Sequence, residues 1–340
     1  MDKDKSLLFP SVKMLETLLG TIVKGNKKLA EVRNKLMEDL FEASYNFTYN
    51  SLELNERIIE LQAEAKVGAK LLGTRSVSDT KSVYIGEGSK GKSTAMFMKD
   101  KVPVTNDIAV YFWQMLEVNG PTRLEKSGVK VDELKEYMNL PQNKNLREYS
   151  DKLFEMYNDL SIDYNEMFED ITGRAIELYD IDPATDKQRR YAPVHNEKAI
   201  EEAETIQTDS KDGNALGSVF SNRLLSRTDN WVEIRDKNGD LVLDKNGEVQ
   251  YERNVQGKIR YIGATTAMKD YIKTMEHTKQ YYKIAEDFNN LLNNYSEATI
   301  RKRIGDKNYE NLLKRRDVII LNKNEYKAEL DLLLNNMNRI

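Results

Sequence analysis

Residues 86–93 read GEGSKGKS, and two incompatible folds follow from two readings of that stretch. Read as a G-x-x-x-x-G-K-[ST] phosphate loop, its backbone amides cradle phosphate, Lys92 reaches the terminal phosphates and Ser93 ligates magnesium. Gly86, Gly91, Lys92 and Ser93 are then nucleotide-binding residues. That chemistry requires a buried strand before the loop, a helix after it, and a parallel sheet whose strands alternate with helices. Read as the tip of a β-hairpin over about 82–98, the same residues join two β-prone runs, Val83-Tyr84-Ile85 and Ala95-Met96-Phe97-Met98, and need no ligand.

The flanking sequence favours the hairpin. A phosphate loop also needs a second acidic residue at the end of an apolar strand to hold magnesium, and none follows. Instead the apolar residues recur at helical spacing. Leu15, Leu18, Ile22, Leu29, Val32, Leu36 and Leu40 alternate by three and four, with a kink or break expected at Gly20 and at Lys24-Gly25-Asn26. The pattern predicts one helical stretch to about Tyr49, another over 52–72, and a stop at Gly73. Leu15, Ile22, Leu29 and Leu36 lie seven apart, a stripe that fits self-association but fits an intramolecular partner better. Residues 107–118, with Tyr111, Phe112, Trp113, Met115 and Leu116, form the most apolar segment, closed by Asn119-Gly120-Pro121. A short helix over 131–138 follows. Leu153, Met156, Leu160, Tyr164, Met167, Phe168 and Ile171 predict a longer one that ends near Gly173.

Between 180 and 264 the helical period is lost. Asp236-Lys-Asn-Gly239 recurs as Asp244-Lys-Asn-Gly247 between apolar runs, which predicts a β-meander over about 231–262. Helices return at Thr265, with Met268, Ile272, Met275, Tyr282, Ala285, Phe288 and Leu292 on one face, and continue through 309–315 and 325–335. The expected fold is mainly α, an elongated helical bundle with these two β-elements. Its parts are an N-terminal helical arm (1–75), a hairpin connector (76–103), a central bundle (104–190), an extended segment with the meander (191–264) and C-terminal helices (265–340).

Composition narrows the chemistry. The 340 residues include no cysteine, so disulfides, thiolate metal sites and thiol nucleophiles are excluded. Histidine-based schemes have only His195, in a loop after Pro193, and His277, which its neighbours Lys273, Lys279 and Gln280 predict to be exposed. A net charge of −4 gives no global attraction to nucleic acid or anionic membrane. No apolar run approaches the roughly 20 residues of a membrane span or the h-region of a secretory signal, and the chain reads as soluble and unprocessed.

Three further constellations have weaker claims. Asp236-x-Asn238-x-Asp240 has the spacing of half a calcium loop, but Leu241 and Gly247 stand where that loop needs glycine and glutamate, so turn chemistry explains it. Acid pairs such as Glu201-Glu202 and Asp180 with Asp182 are expected among 56 acids and read as solvated faces. Arg301, Lys302, Arg303, Lys314, Arg315 and Arg316, with Tyr309 between them, offer a candidate nucleic-acid-contacting face on a helical hairpin, against the simpler reading of a solvated face beside Asp306, Glu310 and Asp317. No metal site and no cofactor is expected.

Three blocks in order carry a resemblance: Val104-Thr-Asn-Asp-Ile-Ala-Val-Tyr111 leading a helix to Asn119-Gly120, then Leu124-Glu-Lys-Ser-Gly128; Arg190-Tyr-Ala-Pro-Val194; and Phe220-Ser-Asn-Arg-Leu-Leu-Ser-Arg227 before the helices of 265–292. Over about 104–315 the chain resembles the helical modules of the very large polyvalent proteins of tailed bacteriophages and related mobile elements. Many of these are packaged in the capsid and ejected with DNA. The resemblance implies a non-enzymatic internal virion or ejection protein module that contacts other virion proteins and resides in the virion interior and then the bacterial host cytoplasm. It carries over no catalytic residue. Members of that family are usually far longer than this chain.

Overall fold

The computed structural model describes residues 5–73, 104–172, 181–182, 187–188, 190, 192–193, 231–233, 251–253, 259 and 261–320. The described residues are mainly helical: α1 (Lys5–Ile22), α2 (Lys27–Glu64), α3 (Ala69–Leu72), α4 (Asn106–Asn119), α5 (Pro121–Lys126), α6 (Val131–Asn139), α7 (Lys144–Thr172), α8 (Ala264–Asn293), α9 (Glu297–Ile304) and α10 (Asp306–Ile319). A 3₁₀ turn over Pro141–Asn143 leads into α7. The chain divides into two units. One comprises Met1–Ser51, Lys211–Val219 and Glu276–Ile340, the other Leu52–Ser210 and Phe220–Met275.

Local sequence accounts for most helix ends. Between α1 and α2 the chain turns at Gly25, whose φ of 87° is a left-handed conformation that glycine adopts without steric cost. Asn26 then caps α2, its side-chain oxygen accepting from the Leu29 amide at 3.2 Å. The break therefore falls at 23–26, while Gly20 is accommodated inside α1. No break occurs at Tyr49–Leu52. α2 runs unbroken for 38 residues, because no glycine or proline interrupts its backbone ladder from Lys27 to Glu64. Thr105 caps α4 by accepting from the Ile108 amide, and Gly120, at φ 72°, ends that helix before Pro121 opens α5.

In the first unit α1 packs on α9 and α10. Leu15, Leu19, Ile22, Leu36, Leu40, Phe288, Ile304 and Leu312 are buried there. The heptad-spaced Leu15, Ile22 and Leu36 are thus covered within the chain, as the intramolecular reading expected. Arg303 donates to the Ile22 carbonyl at the end of α1, satisfying one of the carbonyls a helix leaves open. His277 corrects a sequence expectation: it is 4% exposed, stacked on Tyr281 with ring centroids 4.4 Å apart and edge-on to Phe47 at 5.6 Å. Met275, Glu276, His277 and Thr278 are all buried, so here α8 is covered around its whole circumference and polar neighbours do not mark a solvent face.

In the second unit α4 packs on α5, α6 and α7 around a core rich in tyrosine. Tyr111, Phe112, Tyr149, Phe154, Tyr157, Tyr164 and Tyr271 are all buried. Tyr271 meets Tyr157 and Tyr164 edge-on at 5.3 and 6.1 Å, geometry that aligns ring edges with ring faces.

Two short antiparallel pairs complete the described structure. β1 (Ile181–Asp182) pairs with β2 (Lys187–Gln188), and β3 (Trp231–Glu233) pairs with β4 (Tyr251–Arg253) in the register Trp231↔Arg253. The second pair is antiparallel and lies within the span expected of the meander. The repeated Asp-Lys-Asn-Gly turns between its strands, and the expected hairpin at 82–98, lie outside the described residues.

Candidate functional site

Gly86, Gly91, Lys92 and Ser93 lie outside the described residues, as do His195, Glu201, Glu202 and the 236–240 segment. The basic segment is described, and its arginines are largely engaged within the chain. Arg301 pairs with Glu297 at 2.7 Å, Asp306 at 3.2 Å and Glu310 at 2.8 Å, and its guanidinium lies 4.2 Å from the centroid of the Tyr309 ring. These hydrogen bonds hold the Arg301 pKa above its ordinary value. Arg303 reaches the end of α1 and stacks over Tyr295 at 4.5 Å. Arg316 pairs with Asp317 at 2.7 Å. Arg315 is half-buried, with its Nε lacking a hydrogen-bond partner, and burial lowers its pKa. Lys302, Arg303 and Lys314 are the exposed residues of the six, and the Arg303 guanidinium is held by the Ile22 carbonyl and the Tyr295 ring. The segment is thus a compensated network that joins α9 to α10 and to α1, and three carboxylates stand where a phosphate would approach Arg301.

A second cluster is buried in the second unit. Asp107, 2% exposed, sits in the first turn of α4, and its Oδ1 accepts from the Thr265 amide at 3.0 Å and the Thr265 hydroxyl at 2.8 Å. Tyr149 Oη lies 2.9 Å from the same hydroxyl, and Gln62 Nε2 donates to Tyr149 Oη at 3.2 Å. One carboxylate of α4 thereby satisfies an open amide at the start of α8 and ties α2, α4, α7 and α8 together. Burial, only partly offset by these hydrogen bonds and Lys269, pushes the Asp107 pKa up to about 6. Burial likewise pushes Tyr149 up to about 12, so it stays protonated as a donor. Closed to solvent, this cluster is suited to clamping helices. Arg190 makes a third cross-link, donating to Glu117 at 3.1 Å and to Asp151, with its guanidinium 5.1 Å from the centroid of the Phe154 ring.

The feature that local packing leaves unexplained is the solvent side of α2. Its inner face buries Leu36, Leu40 and Ala43. On the opposite side Phe41, Tyr45 and Tyr49 recur every fourth residue and are 44%, 66% and 57% exposed, placing them on one helical face. The Tyr45 and Tyr49 rings stack, 6.1 Å apart and 11° from parallel. Leu52 and Ile59 prolong the line along the same helix. Scattered exposed apolar residues need no explanation, but an aligned aromatic row does.

No family model, curated protein or solved structure matches the chain. The functional reading therefore rests on the geometry and on the sequence resemblance. Among the described residues no helix is long and apolar enough to cross a membrane, and no group of histidine, aspartate and glutamate is placed to hold a metal ion. Sequence reasoning missed the aromatic row because α2 carries two apolar stripes, and the Leu36–Leu40 stripe accounts for a helix by itself. The four-residue recurrence of Phe41, Tyr45 and Tyr49, half a turn away from it, was the available signal.

Proposed function

We propose that this chain is a non-enzymatic helical module that works through protein–protein contacts, of the kind carried inside the virion by internal or ejected proteins of tailed phages. The observation that carries the contact function is the row of Phe41, Tyr45 and Tyr49 on the solvent side of α2, since an aligned apolar row left in solvent marks an interaction surface. The virion setting is supported by the order of the sequence blocks. Residues from those blocks also pack on one another: Asp107 of the first block holds Thr265, and Arg190 of the second holds Glu117 in the helix of the first. In this reading the arginines of α9 and α10 stabilise the module, and the partners are other virion proteins.

The test is quantitative peptide mass spectrometry on purified particles, intact and emptied of DNA. Peptides of this chain present in intact particles and lost on emptying are the expected result. Absence from both sinks the virion setting.

A further inference from the structure

We infer that the α2 face built on Phe41, Tyr45 and Tyr49 docks a basic amphipathic helix of a partner protein. This rests on the protein–protein reading above and specifies the partner's chemistry.

Charge selects the partner. From Leu36 to Glu56 the helix carries Glu38, Asp39, Glu42, Glu53 and Glu56 and neither lysine nor arginine. None of the five takes part in an ion pair among the described residues. Helical spacing sets Glu38 one turn before Phe41, Glu42 one turn before Tyr45 and Glu53 one turn after Tyr49. The aromatic row is therefore bordered by carboxylates that make no ion pair among the described residues. Such a border attracts lysine and arginine and repels nucleic-acid phosphate and anionic lipid headgroups. A second copy of the chain, related by a two-fold axis, would set this acidic border against itself.

Size points the same way. The three aromatic side chains at their observed exposures offer on the order of 300 Å², well short of the about 800 Å² per partner of a standard stable interface. One helix laid along the row covers that area, its apolar residues at i, i+3/i+4 and i+7 against the rings and its basic flanks over the carboxylates. Tyrosine suits the contact because its large ring is ordered at small entropic cost and its face attracts arginine.

The experiment titrates the full chain into a labelled 18-residue helical peptide of leucine and lysine, leucines at i, i+3, i+4 and i+7. A control peptide has glutamate in place of every lysine. The leucine–lysine peptide is expected to bind saturably, more weakly as salt rises, and at least about tenfold more weakly to Tyr45→Ala/Tyr49→Ala. Glu42→Gln/Glu53→Gln, which removes charge without truncation, also weakens it and serves if the tyrosine variant fails to fold. Three outcomes overturn the inference: both variants bind like the parent; the glutamate peptide binds as tightly as the lysine peptide; or the chain self-associates through this face, seen as sedimentation of a dimer that Tyr45→Ala/Tyr49→Ala dissociates. If the chain is found in particles but does not bind the peptide, this inference fails alone; if it binds the peptide but is absent from particles, the virion setting fails alone.

Discussion

Replacing Asp107 by asparagine tests whether the buried clamp between α4 and α8 works as its geometry requires. Asparagine keeps an oxygen where Oδ1 accepts from the Thr265 amide and hydroxyl and removes the charge. The Asp107 carboxyl has a pKa of about 6 against an ordinary 3.8, so between about pH 4 and pH 6 the folded chain holds a proton that the unfolded chain has released. Stability contributed by this group therefore falls as pH rises through that window. About two units correspond to about 3 kcal/mol, and the full amount is lost above the folded pKa. The asparagine variant escapes this loss. Measured against the parent by thermal melts, its advantage is expected to be small near pH 4 and to grow to about 3 kcal/mol by pH 7. For a unit of this size that is roughly 6–12 °C in melting temperature. Taking the difference between the two proteins cancels every other carboxylate that titrates in the same range. Asp107→Ala supplies a ranking: it strands the Thr265 amide and hydroxyl at about 1–3 kcal/mol each, so it should melt below Asp107→Asn at every pH. A gap between parent and asparagine variant that stays constant from pH 4 to pH 7 would refute the buried-charge argument. Equal melting of the alanine and asparagine variants would refute the hydrogen-bond argument.

Gly263→Ala places a Cβ 2.0 Å from Asp107 Oδ2, so it must push the carboxylate off Thr265. A loss of about 2–4 kcal/mol is expected, most of it absent in the Asp107→Ala background, as a double-mutant cycle by urea unfolding would read. Arg301→Ala removes partly exposed ion pairs and the contact with the Tyr309 ring and should shift the melting temperature by no more than about 4 °C. Its DNA affinity should match the parent's at all salt concentrations, because three carboxylates already occupy that guanidinium. Tyr45→Ala/Tyr49→Ala should change unfolding free energy by less than about 0.5 kcal/mol, since neither ring packs into the core; a larger loss in denaturant titration would mean the row is structural.

Sequence legibility followed the range of the interaction involved. The Gly25 turn, the Gly73 and Gly120 stops and the α7 stripe were readable because a backbone conformation or a helical repeat is set by residues within a few positions of one another. The false break near Tyr49 arose where one apolar stripe was followed by another on a different face, which looks from sequence like a change of helix. His277 was misplaced for a related reason. Polar neighbours along a helix report its average environment, whereas Phe47 and Tyr281, which enclose that imidazole, reach it only through packing. The basic residues from Arg301 to Arg316 were legible as a cluster with the acids Asp306, Glu310 and Asp317 beside it, but which pairs form was not, because the pairing of Arg301 with Asp306 and Glu310 depends on how α9 meets α10.

By itself the sequence determined that the chain is mainly helical, where several helices begin or end, and which chemistries its lack of cysteine removes. These are properties of composition and of neighbours in the chain. Tertiary structure alone decided that Asp107 caps a helix 158 positions away, that Arg303 closes α1 from 281 positions away, and that α2 hides one apolar stripe while leaving an aromatic one in solvent. Burial and pairing across such separations depend on which faces the packing brings together, and one helical stripe looks like another until its partner is in place.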